Sequence, residues 1–384
     1  MKKLKMGMVG GGKGSFIGDV HRRASRIDGM VDLVCGAFSS NPERSLESAE
    51  ELGVSPDRAY KSFEEMITKE KELPEGERMD FVAIVTPNHM HFPPAKMALE
   101  NGFHVICDKP VTLTLDEAFD LKKVVEKSGK VFALTHNYTG YPMVKQARLM
   151  IQNGELGELR KVVVQYLQGW MSTAVEQTEN KQASWRVDPK KSGIGGALGD
   201  IGTHAENLTE YITGKKIEKV AADLSSFGAG RILDDDGNLL LRLEGNTKGT
   251  MSISQIATGE ENNLGIRVYG SKGSIAWSQE NPNELTAYWL DKPKQIYTPG
   301  GNGTYQESTS YTRVPPGHPE GYLEGFATIY RSFAKEVLSV EDGNEISERP
   351  DFPTIYDGLR GMQFIYAAVA SNDNNAAWVS LKED

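Results

Sequence analysis

The chain has 384 residues, of which 39% are hydrophobic and 25% are charged. This composition is typical of a soluble globular protein and excludes collagen, a coiled coil and wholesale disorder. The length exceeds the roughly 250–300 residues at which single cores stop growing, so we expect two domains. A formal charge of −10 argues against binding to nucleic acid or to an anionic membrane, which leaves small molecules and protein partners.

No segment has the pattern of an export signal or a membrane span. The basic start, with Lys2, Lys3 and Lys5, is followed by too few apolar residues for a signal peptide. No later apolar stretch approaches the ~18–20 residues that a bilayer requires. Cys35 and Cys107 each lie in an apolar, strand-like run, so we expect no disulfide framework and a reducing cytoplasm as the location.

The first third of the chain alternates short apolar strands with helices of about 10–13 residues, which is the pattern of βαβ crossovers. Strands are predicted at residues 5–9, 31–38, 81–85, 103–107 and 131–134. Helices are predicted at residues 16–27, 41–52, 91–101 and 115–127. We therefore predict an α/β fold that begins with a doubly wound parallel sheet, in a domain over residues 1–136.

From about His136 the pattern changes to alternating strands joined by hairpin turns. After a helix at 142–153, strands are predicted at 161–167, 238–243, 249–256 and 265–269, and turns at Asp236-Gly237, Glu244-Gly245 and Lys272-Gly273. Residues 282–316 are interpreted as a loop or subunit-contact region, and two helices follow at 322–338 and 354–371. Residues 137–384 are thus predicted to form a second α/β domain with a mainly antiparallel sheet.

A glycine-rich turn joins the first strand to the first helix. The residues there that would face a cofactor are Gly10, Gly12, Gly14, Ser15, Phe16 and Ile17. In a dinucleotide site such glycines let backbone N–H groups approach the pyrophosphate at the helix N-terminus. Serine at position 15 breaks a strict G-x-G-x-x-G spacing, and a structural turn is the alternative. The place of the turn, before a βαβ pattern, favours nucleotide binding.

The second strand ends without the acidic residue that would bind the ribose 2′-hydroxyl of NAD. Ser39 and Ser40 stand there instead, and Arg44 lies one helical turn further on. Two hydroxyls and a guanidinium suit the 2′-phosphate of NADP. An equal alternative is that the serines cap the next helix and Arg44 is solvated, so NAD and NADP both stay open.

Polar residues also follow two later strands, at the edge where doubly wound sheets bind ligands. They are Thr86, Pro87, Asn88 and His91 after the third strand, and Asp108, Lys109 and Pro110 after the fourth. Lys109 is placed to reach a substrate oxygen, because Pro110 stiffens the turn behind it. Taken singly, Asn88 and His91 suit helix caps equally well, and Lys109 suits an ordinary surface position.

The segment from Gly193 to His204 puts four glycines ahead of a predicted helix start. Asp200 and His204 stand four positions apart, on one helical face. A histidine near a helix N-terminus is kept neutral by the helix dipole and can accept a proton. A metal pair would lack a third ligand, so no metal is predicted. The alternative is a helix cap and a core histidine.

In order and spacing, these motifs resemble the glucose-fructose oxidoreductase / inositol dehydrogenase / MocA (Gfo/Idh/MocA) family over essentially the whole chain. The resemblance implies a Rossmann domain followed by an α/β domain with a large, open-faced sheet that forms homodimers or homotetramers. It also implies NAD(P)-dependent oxidation or reduction of secondary hydroxyls of sugars and cyclitols.

Carried over residue by residue, the resemblance makes Lys109, Asp200 and His204 catalytic. His204 would remove the alcohol proton, Lys109 would hydrogen-bond the oxygen, and Asp200 would orient the histidine or relay its proton. Asp108 stands where the family has a glutamate that contacts the cofactor. Residues 166–170 and 184–186 look closest to the branch that oxidises C3 hydroxyls of glucosides and anhydrosugars.

Further candidate contacts have side chains that suit sugar rings and their hydroxyls. Asn137, Trp185 and Arg186 are candidates beside the cofactor, and the substrate candidates are Lys109, Tyr138, Gln168, Arg186, Asp200 and His204, with His318 and Tyr322 as weaker ones. Two other functions compete. One is a glycosidase with retained NAD, which acts by transient C3 oxidation, elimination and re-reduction. The other, a non-catalytic dinucleotide sensor, is disfavoured because Lys109, Asp200 and His204 are all present.

Overall fold

The apolar runs of the first third pair side by side as parallel strands. These are β1 (Leu4–Gly10), β2 (Val31–Ala37), β3 (Phe81–Val85), β4 (His104–Cys107) and β5 (Phe132–Leu134). In the computed structural model, which describes residues 2–178 and 181–381 and only the backbone of residues 181 and 182, they form one sheet in the order β2-β1-β3-β4-β5. The order reverses between β1 and β3, so the ends of these two strands flank the crevice in which doubly wound sheets bind ligands.

Five helices accompany this sheet. They are α1 (Phe16–Ile27), α2 (Pro42–Glu51), α3 (Phe63–Glu72), α4 (Phe92–Glu100) and α5 (Leu115–Ser128). Four begin at a side chain that accepts an N–H of the first turn, namely Ser15, Asn41, Ser62 and Thr114. Four of the five helices match the predictions within two residues. Helix α3 was not predicted, because its buried Met66 and Ile67 stand among six charged residues.

The second part of the chain is built on a nine-stranded sheet. Its strands are β6 (Leu159–Leu167), β7 (Ile217–Ser225), β8 (Asp236–Leu243), β9 (Thr247–Ser254), β10 (Asn263–Gly270), β11 (Gly273–Ser278), β12 (Leu285–Trp289), β13 (Gln295–Tyr297) and β14 (Val379–Ser380). The order is β13-β12-β11-β10-β6-β9-β8-β7-β14. Among the described pairings only β6 with β9 is parallel. The predicted fold class is thereby confirmed.

Seven further helices are described in the rest of the chain. They are α6 (Pro142–Gln152), α7 (Lys181–Arg186), α8 (Pro189–Ser192), α9 (Thr203–Thr213), α10 (Gln306–Thr309), α11 (Tyr322–Glu341) and α12 (Ile355–Asp373). Helices α6 and α9 pack together, and α9 lies against β6 and β10. None of the described helices is long and apolar enough to cross a membrane.

Three predictions about the second part need correction. Asp236-Gly237 is not a turn: it begins β8, and a Cβ at Gly237 would lie 2.7 Å from Leu224 of β7, so the glycine serves close strand packing. The β10–β11 hairpin turns at Ser271 and Lys272, one residue before the predicted pair. Residues 282–316 contain β12, β13 and α10 rather than only a loop, because these elements are too short for their periodicity to be seen. The Glu244-Gly245 turn is confirmed between β8 and β9.

The chain divides into two compact units that are not contiguous in sequence. The first comprises residues 2–137 and 322–359, and the second comprises residues 138–321 and 360–381. Helix α11 buries Phe326, Tyr330 and Phe333 in the same core as β1 and β3. The predicted second domain, 137–384, included this helix, because an amphipathic pattern does not tell which sheet its apolar face will cover.

Replacing Phe333 by alanine should lower the free energy of unfolding by about 3–5 kcal/mol. The Phe333 side chain is fully buried and meets the Phe81 ring edge to face, with 5.1 Å between ring centroids. Urea denaturation followed by circular dichroism measures the change. Lys335→Ala, at an exposed position of the same helix, is the control and should change stability by less than about 0.5 kcal/mol. Equal effects would contradict the place given to α11.

Candidate cofactor and active site

The glycine-rich turn closes directly on helix α1. A Cβ at Gly18, in the first turn of the helix, would lie 2.4 Å from the Cα of Gly11, so only two glycines allow this approach. Gly14 has a φ of +77°, and nothing lies within 4 Å of where its Cβ would be. Helix N-termini carry N–H groups without intrahelical partners, and open backbone beside them fits a pyrophosphate.

The predicted contacts of this turn lie together at the carboxyl end of β1. Ser15 is the N-cap of α1 and accepts the N–H of Gly18, whereas Phe16 is 65% exposed. The Gly12 N–H donates to the Phe38 carbonyl, and the Lys13 N–H donates to Ser48 Oγ. These two bonds hold the turn against the end of β2.

At the end of β2 the helix cap is Asn41 rather than either serine. Asn41 Oδ1 accepts the N–H of Arg44, and Ser39 Oγ accepts the N–H of Asn41 at 3.1 Å. Ser40 and Arg44 are exposed. The capping alternative from the sequence is therefore wrong for the two serines, and Ser39 instead supports the Asn41 cap.

His91 links the turns after β3 and β4. Its ring is buried, with Nδ1 2.6 Å from the Pro110 carbonyl oxygen and Nε2 2.8 Å from the Thr86 carbonyl oxygen. Both ring nitrogens are thus engaged by the protein. His91 fixes the turns that carry Thr86 and Lys109, and its expected direct contact with a cofactor is not supported by this geometry.

The remaining candidates of the first unit lie along the carboxyl ends of β3, β4 and β5. Pro87 and Asn88 follow β3. Asp108 Oδ1 accepts from Thr135 Oγ1 at 2.7 Å and from the Lys109 N–H at 3.0 Å. Loss of water, with a smaller contribution from the Lys109 charge, lowers the pKa of the buried His136 to about 3. His136 is therefore a neutral imidazole.

Asn137 ends this edge of the sheet. Its side chain is buried, and its Nδ2 is among the buried polar atoms of the described residues without a hydrogen-bond partner. A buried amide N–H₂ without a partner costs about 1–3 kcal/mol, which a ligand oxygen would relieve. This orphaned donor and the bare glycine turn fit a bound dinucleotide.

In the second unit, Asp200 lies in a widened helical turn that leads into α9. Residues Leu198–Gly202 form this π-type turn, a distortion that is frequent at functional sites. Asp200 Oδ2 accepts from Arg186 Nε at 2.9 Å and from Gln255 Nε2 at 2.8 Å. The carboxylate is thereby fixed in position.

His204 is the second residue of α9 and packs among aromatic rings. Its ring centroid lies 4.9 Å from that of Tyr138, edge to face, and 6.2 Å from that of Tyr166. The Arg186 guanidinium, which binds Asp200, stands 4.4 Å from the Trp185 ring centroid and 5.9 Å from that of Trp170. The structure thus brings the candidates of the second unit together.

The two weaker candidates lie elsewhere. His318 is exposed, and its Nδ1 lies 3.1 Å from the Pro315 carbonyl oxygen. Tyr322 belongs to the first unit, where its ring stacks on Phe16 with 6.5 Å between centroids. No group of three or more His, Cys, Asp and Glu residues suited to a metal ion occurs in the part of the chain that the structure describes.

Asp234 was not singled out from the sequence. Its two carboxylate oxygens accept the N–H groups of Gly196 and Leu198, each at 2.7 Å, and its carbonyl accepts the N–H of Ala197 at 2.8 Å. These bonds clamp the glycine-rich segment that precedes Asp200. The run of three aspartates at 234–236 looks like a solvated loop, so the sequence carries no signal of this role.

Comparisons with known proteins decide the family. The model described as "Oxidoreductase family, NAD-binding Rossmann fold" matches residues 4–136, and the model of the GFO/IDH/MocA C-terminal domain matches residues 144–276. The uncharacterized oxidoreductase YfiI of Bacillus subtilis is 34% identical, over 99% of this chain and 98% of its own length. The chain belongs to the Gfo/Idh/MocA oxidoreductase family.

Two further relatives are similar to this chain over nearly its whole length. An inositol dehydrogenase homolog from Azotobacter vinelandii, solved with NAD⁺, superposes with a TM-score of 0.94 at 35% identity, covering 99% of this chain and 97% of that one. The levoglucosan dehydrogenase of Pseudarthrobacter phenanthrenivorans is 28% identical over 100% of this chain and 99% of its own. This Gfo/Idh/MocA protein is therefore an NAD-dependent oxidoreductase, which confirms the predicted oxidoreductase and names one of the two cofactors that the sequence left open.

The clamp formed by Asp234 should make stability depend on pH. Loss of water raises the pKa of Asp234 from 3.8 to about 6, so the folded chain holds this proton more tightly than the unfolded chain does. The stability gained from that proton is complete below about pH 4 and is lost as pH rises through about 6. Asp234→Asn cannot titrate. The free energy of unfolding of wild type minus that of D234N should therefore fall between about pH 4 and 6. Urea titrations across this range would contradict the assignment if the difference stayed level.

Proposed function

We propose that this chain transfers a hydride between NAD and a secondary hydroxyl, at C3, of a pyranose sugar, glycoside or cyclitol. The observation that carries the proposal is the cluster around Asp200 and His204, which combines a fixed carboxylate and an imidazole with aromatic rings and amides. Aromatic rings offer a surface to the apolar faces of sugars, and amides match hydroxyls. The names of the relatives, an inositol dehydrogenase homolog and a levoglucosan dehydrogenase, support a polyhydroxylated ring as substrate.

The cofactor, when bound, supplies the hydride acceptor for alcohol oxidation. The first unit would hold it at the glycine turn after β1 and along the ends of β3, β4 and β5. In the proposal Thr86, Asp108 and Asn137 belong to that edge. Ser39, Ser40 and Arg44 would face the adenosine ribose, where the absence of an acid also admits the 2′-phosphate of NADP.

Side chains of the protein itself transfer the proton of the alcohol. His204 removes the alcohol proton in this proposal, the role that the resemblance to the family gives it. Lys109 donates a hydrogen bond to the alcohol oxygen and stabilises its developing negative charge. Asp200, held by Arg186 and Gln255, orients His204 or relays its proton.

The substrate ring is held by side chains of the second unit in this proposal. Tyr138 and Trp185 offer ring faces or edges, and Gln168 and Arg186 offer N–H donors. The clustering of these side chains with Asp200 and His204 supports their assignment to the substrate.

A substrate panel tests the proposal. Methyl glycosides, free hexoses and inositols are each incubated with the protein and NAD⁺ or NADP⁺, while the absorbance of reduced nicotinamide is followed. We expect the signal to grow with pyranoses or cyclitols and, with C3-deoxy analogues of an active sugar, to be lost. Glycoside cleavage without net nicotinamide reduction, or turnover of a C3-deoxy analogue, would contradict it.

Lys109→Ala and His204→Ala should each lower kcat by ~10²–10⁴-fold, the usual contribution of a positioned proton-transfer group. The dissociation constant of NADH, measured by fluorescence titration, should change little, because neither side chain is assigned to the pyrophosphate. Lys123→Ala, at an exposed position of α5, is the control and should keep full activity. Unchanged turnover in both test variants would refute the catalytic assignment.

We also propose that the open face of the nine-stranded sheet binds a second copy of the chain. Side chains on that face form a row across β8, β9, β6 and β10, through Leu240, Thr250, Val163 and Arg267. Leu240 is 50% exposed there. Tyr269 and Tyr288 extend the same exposed surface, and continuous apolar area of this kind marks protein interfaces.

Leu240→Asp should convert the dimer or tetramer to smaller species, because an unpaired carboxylate at the centre of a dry interface is costly. Light scattering coupled to gel filtration measures the mass. Ile232→Asp, which changes an exposed residue outside the sheet, should leave the mass unchanged. A wild-type monomer would refute the proposed interface.

A further inference from the structure

A chain of hydrogen bonds in the second unit runs through a single amide oxygen. Asn262 Oδ1 accepts from Tyr166 Oη at 2.8 Å and from Gln168 Nε2 at 2.7 Å. On one side the chain continues from Trp170 Nε1 to Gln168 Oε1 at 3.0 Å, and on the other to Tyr138, whose hydroxyl lies 2.5 Å from that of Tyr166.

The chemistry of the indole fixes the direction of every bond in this chain. An indole N–H can only donate, so Gln168 must turn Oε1 toward Trp170 and Nε2 toward Asn262. Asn262 then presents its oxygen, and the single proton of Tyr166 is donated to it. Tyr166 must therefore accept the proton of Tyr138.

Gln168 is left with one amide hydrogen to offer. Its Oε1 accepts from Trp170, and one hydrogen of its Nε2 goes to Asn262. An amide nitrogen carries two hydrogens, so the second is the group available to a ligand. The side chain is half-buried rather than enclosed, which leaves room for that contact.

The position of Gln168 connects it to both proposed proton-transfer residues. In one direction, Asn262, Tyr166 and Tyr138 lead to the His204 ring. In the other, Trp170 and Arg186 lead to Asp200. These contacts surround one region of the second unit. Gln168 is the residue at which the contacts leading to His204 and those leading to Asp200 meet.

The backbone holds both ends of the Gln168–Asn262 bond. The Gln168 N–H donates to the Ser254 carbonyl at 2.8 Å, and its carbonyl accepts from Ala257 at 2.9 Å. The Asn262 N–H donates to Glu280 Oε1 at 2.9 Å. These main-chain bonds hold the two residues in place, and a reversed Gln168 amide would break its bonds to Trp170 and Asn262.

We propose that Gln168 is a specificity-determining residue that donates an N–H to the substrate, with its orientation set by Trp170, and that Asn262 is the positioning residue that holds the other N–H in place. The inference rests on the proposed function, since it assigns the donor to one ring oxygen of a sugar or cyclitol. That oxygen needs a lone pair but no proton. A hydroxyl suits Gln168, a fluorine is a weaker acceptor that still suits it, and a methylene leaves the amide hydrogen unpaired.

The test compares monodeoxy and monodeoxyfluoro analogues of an active sugar at each ring position other than the oxidised one. In the wild type, at one position only, the deoxy analogue should have a kcat/KM about tenfold below that of the fluoro analogue, the usual effect of an unpaired donor. Gln168→Met, which keeps the length of the side chain and removes its hydrogens, should abolish that difference at that position alone.

Two variants of Asn262 separate positioning from bulk. Asn262→Asp keeps an oxygen that accepts both bonds and should retain the difference between the analogues. Asn262→Leu removes the acceptor and should narrow the difference to less than about threefold, because Gln168 is then held only at Oε1 and its Nε2 can shift away from the substrate. Equal rates for fluoro and deoxy analogues at every position, or a difference that survives in Q168M, would overturn the proposal.

A spectroscopic readout distinguishes this inference from the proposed function. In ¹⁵N-labelled protein the Trp170 indole proton, assigned with Trp170→Phe, should exchange slowly and should exchange faster in N262L than in N262D. If no sugar is oxidised, the proposed function fails, and with it the assignment of a sugar oxygen to Gln168. Identical exchange in N262L and N262D would refute the hydrogen-bond chain itself.

Discussion

The contact between the backbones of Gly11 and Gly18 is the constraint on which the arrangement of the first unit depends. Without a side chain at either position, helix α1 starts directly on the turn after β1. The helix then lies against α11, where His21 Nδ1 meets the Tyr330 hydroxyl at 2.8 Å and its ring meets Phe326 edge to face. The absence of side chains at Gly11 and Gly18 therefore sets both the opening for a pyrophosphate and the packing of a helix some 300 residues away in sequence.

The second unit solves a different problem, which is to hold polar side chains rigidly at the start of α9. It does so with acceptors that lie outside the helix. Asp234 fixes the backbone before Asp200, while Arg186 and Gln255 fix the Asp200 carboxylate. Rigid placement of this kind lowers the reorganisation that a reaction would otherwise require. The rings of Tyr138 and Tyr166 pack against His204, and apolar ring faces lower the dielectric around its imidazole.

Local signals in the sequence were enough for much of the fold. A continuous apolar run predicted β3 to the residue, and the helix after the glycine-rich turn was predicted with the bounds of α1. Where the signal was tertiary, prediction failed. Gly237 looks like a turn residue, but its missing side chain is used against Leu224 of the neighbouring strand. Likewise the apolar face of α11 is evident, whereas the sheet that it covers depends on contacts that no local pattern encodes.

The candidate site likewise contains residues that local sequence signals could identify and residues that they could not. Residues that follow strands, such as Lys109 and Thr86, could be identified because their chemistry appears at a defined edge of a sheet. Asp234 and Asn262 could not, since each sits in a polar run that reads as surface loop. Their roles come from partners more than 35 residues distant in sequence, and a single sequence contains no record of such pairs.

The one parallel pairing in the second sheet, between β6 and β9, has a consequence for how the chain acquires its structure. Parallel neighbours cannot be joined by a hairpin and need a long crossover connection. Here that connection is the stretch from residue 168 to 246, which carries Asp200, His204 and helix α9. Pairing β6 with β9 therefore closes a long loop, and contacts so distant in sequence form slowly. The segment proposed to move the proton lies inside the loop that this central strand pair closes.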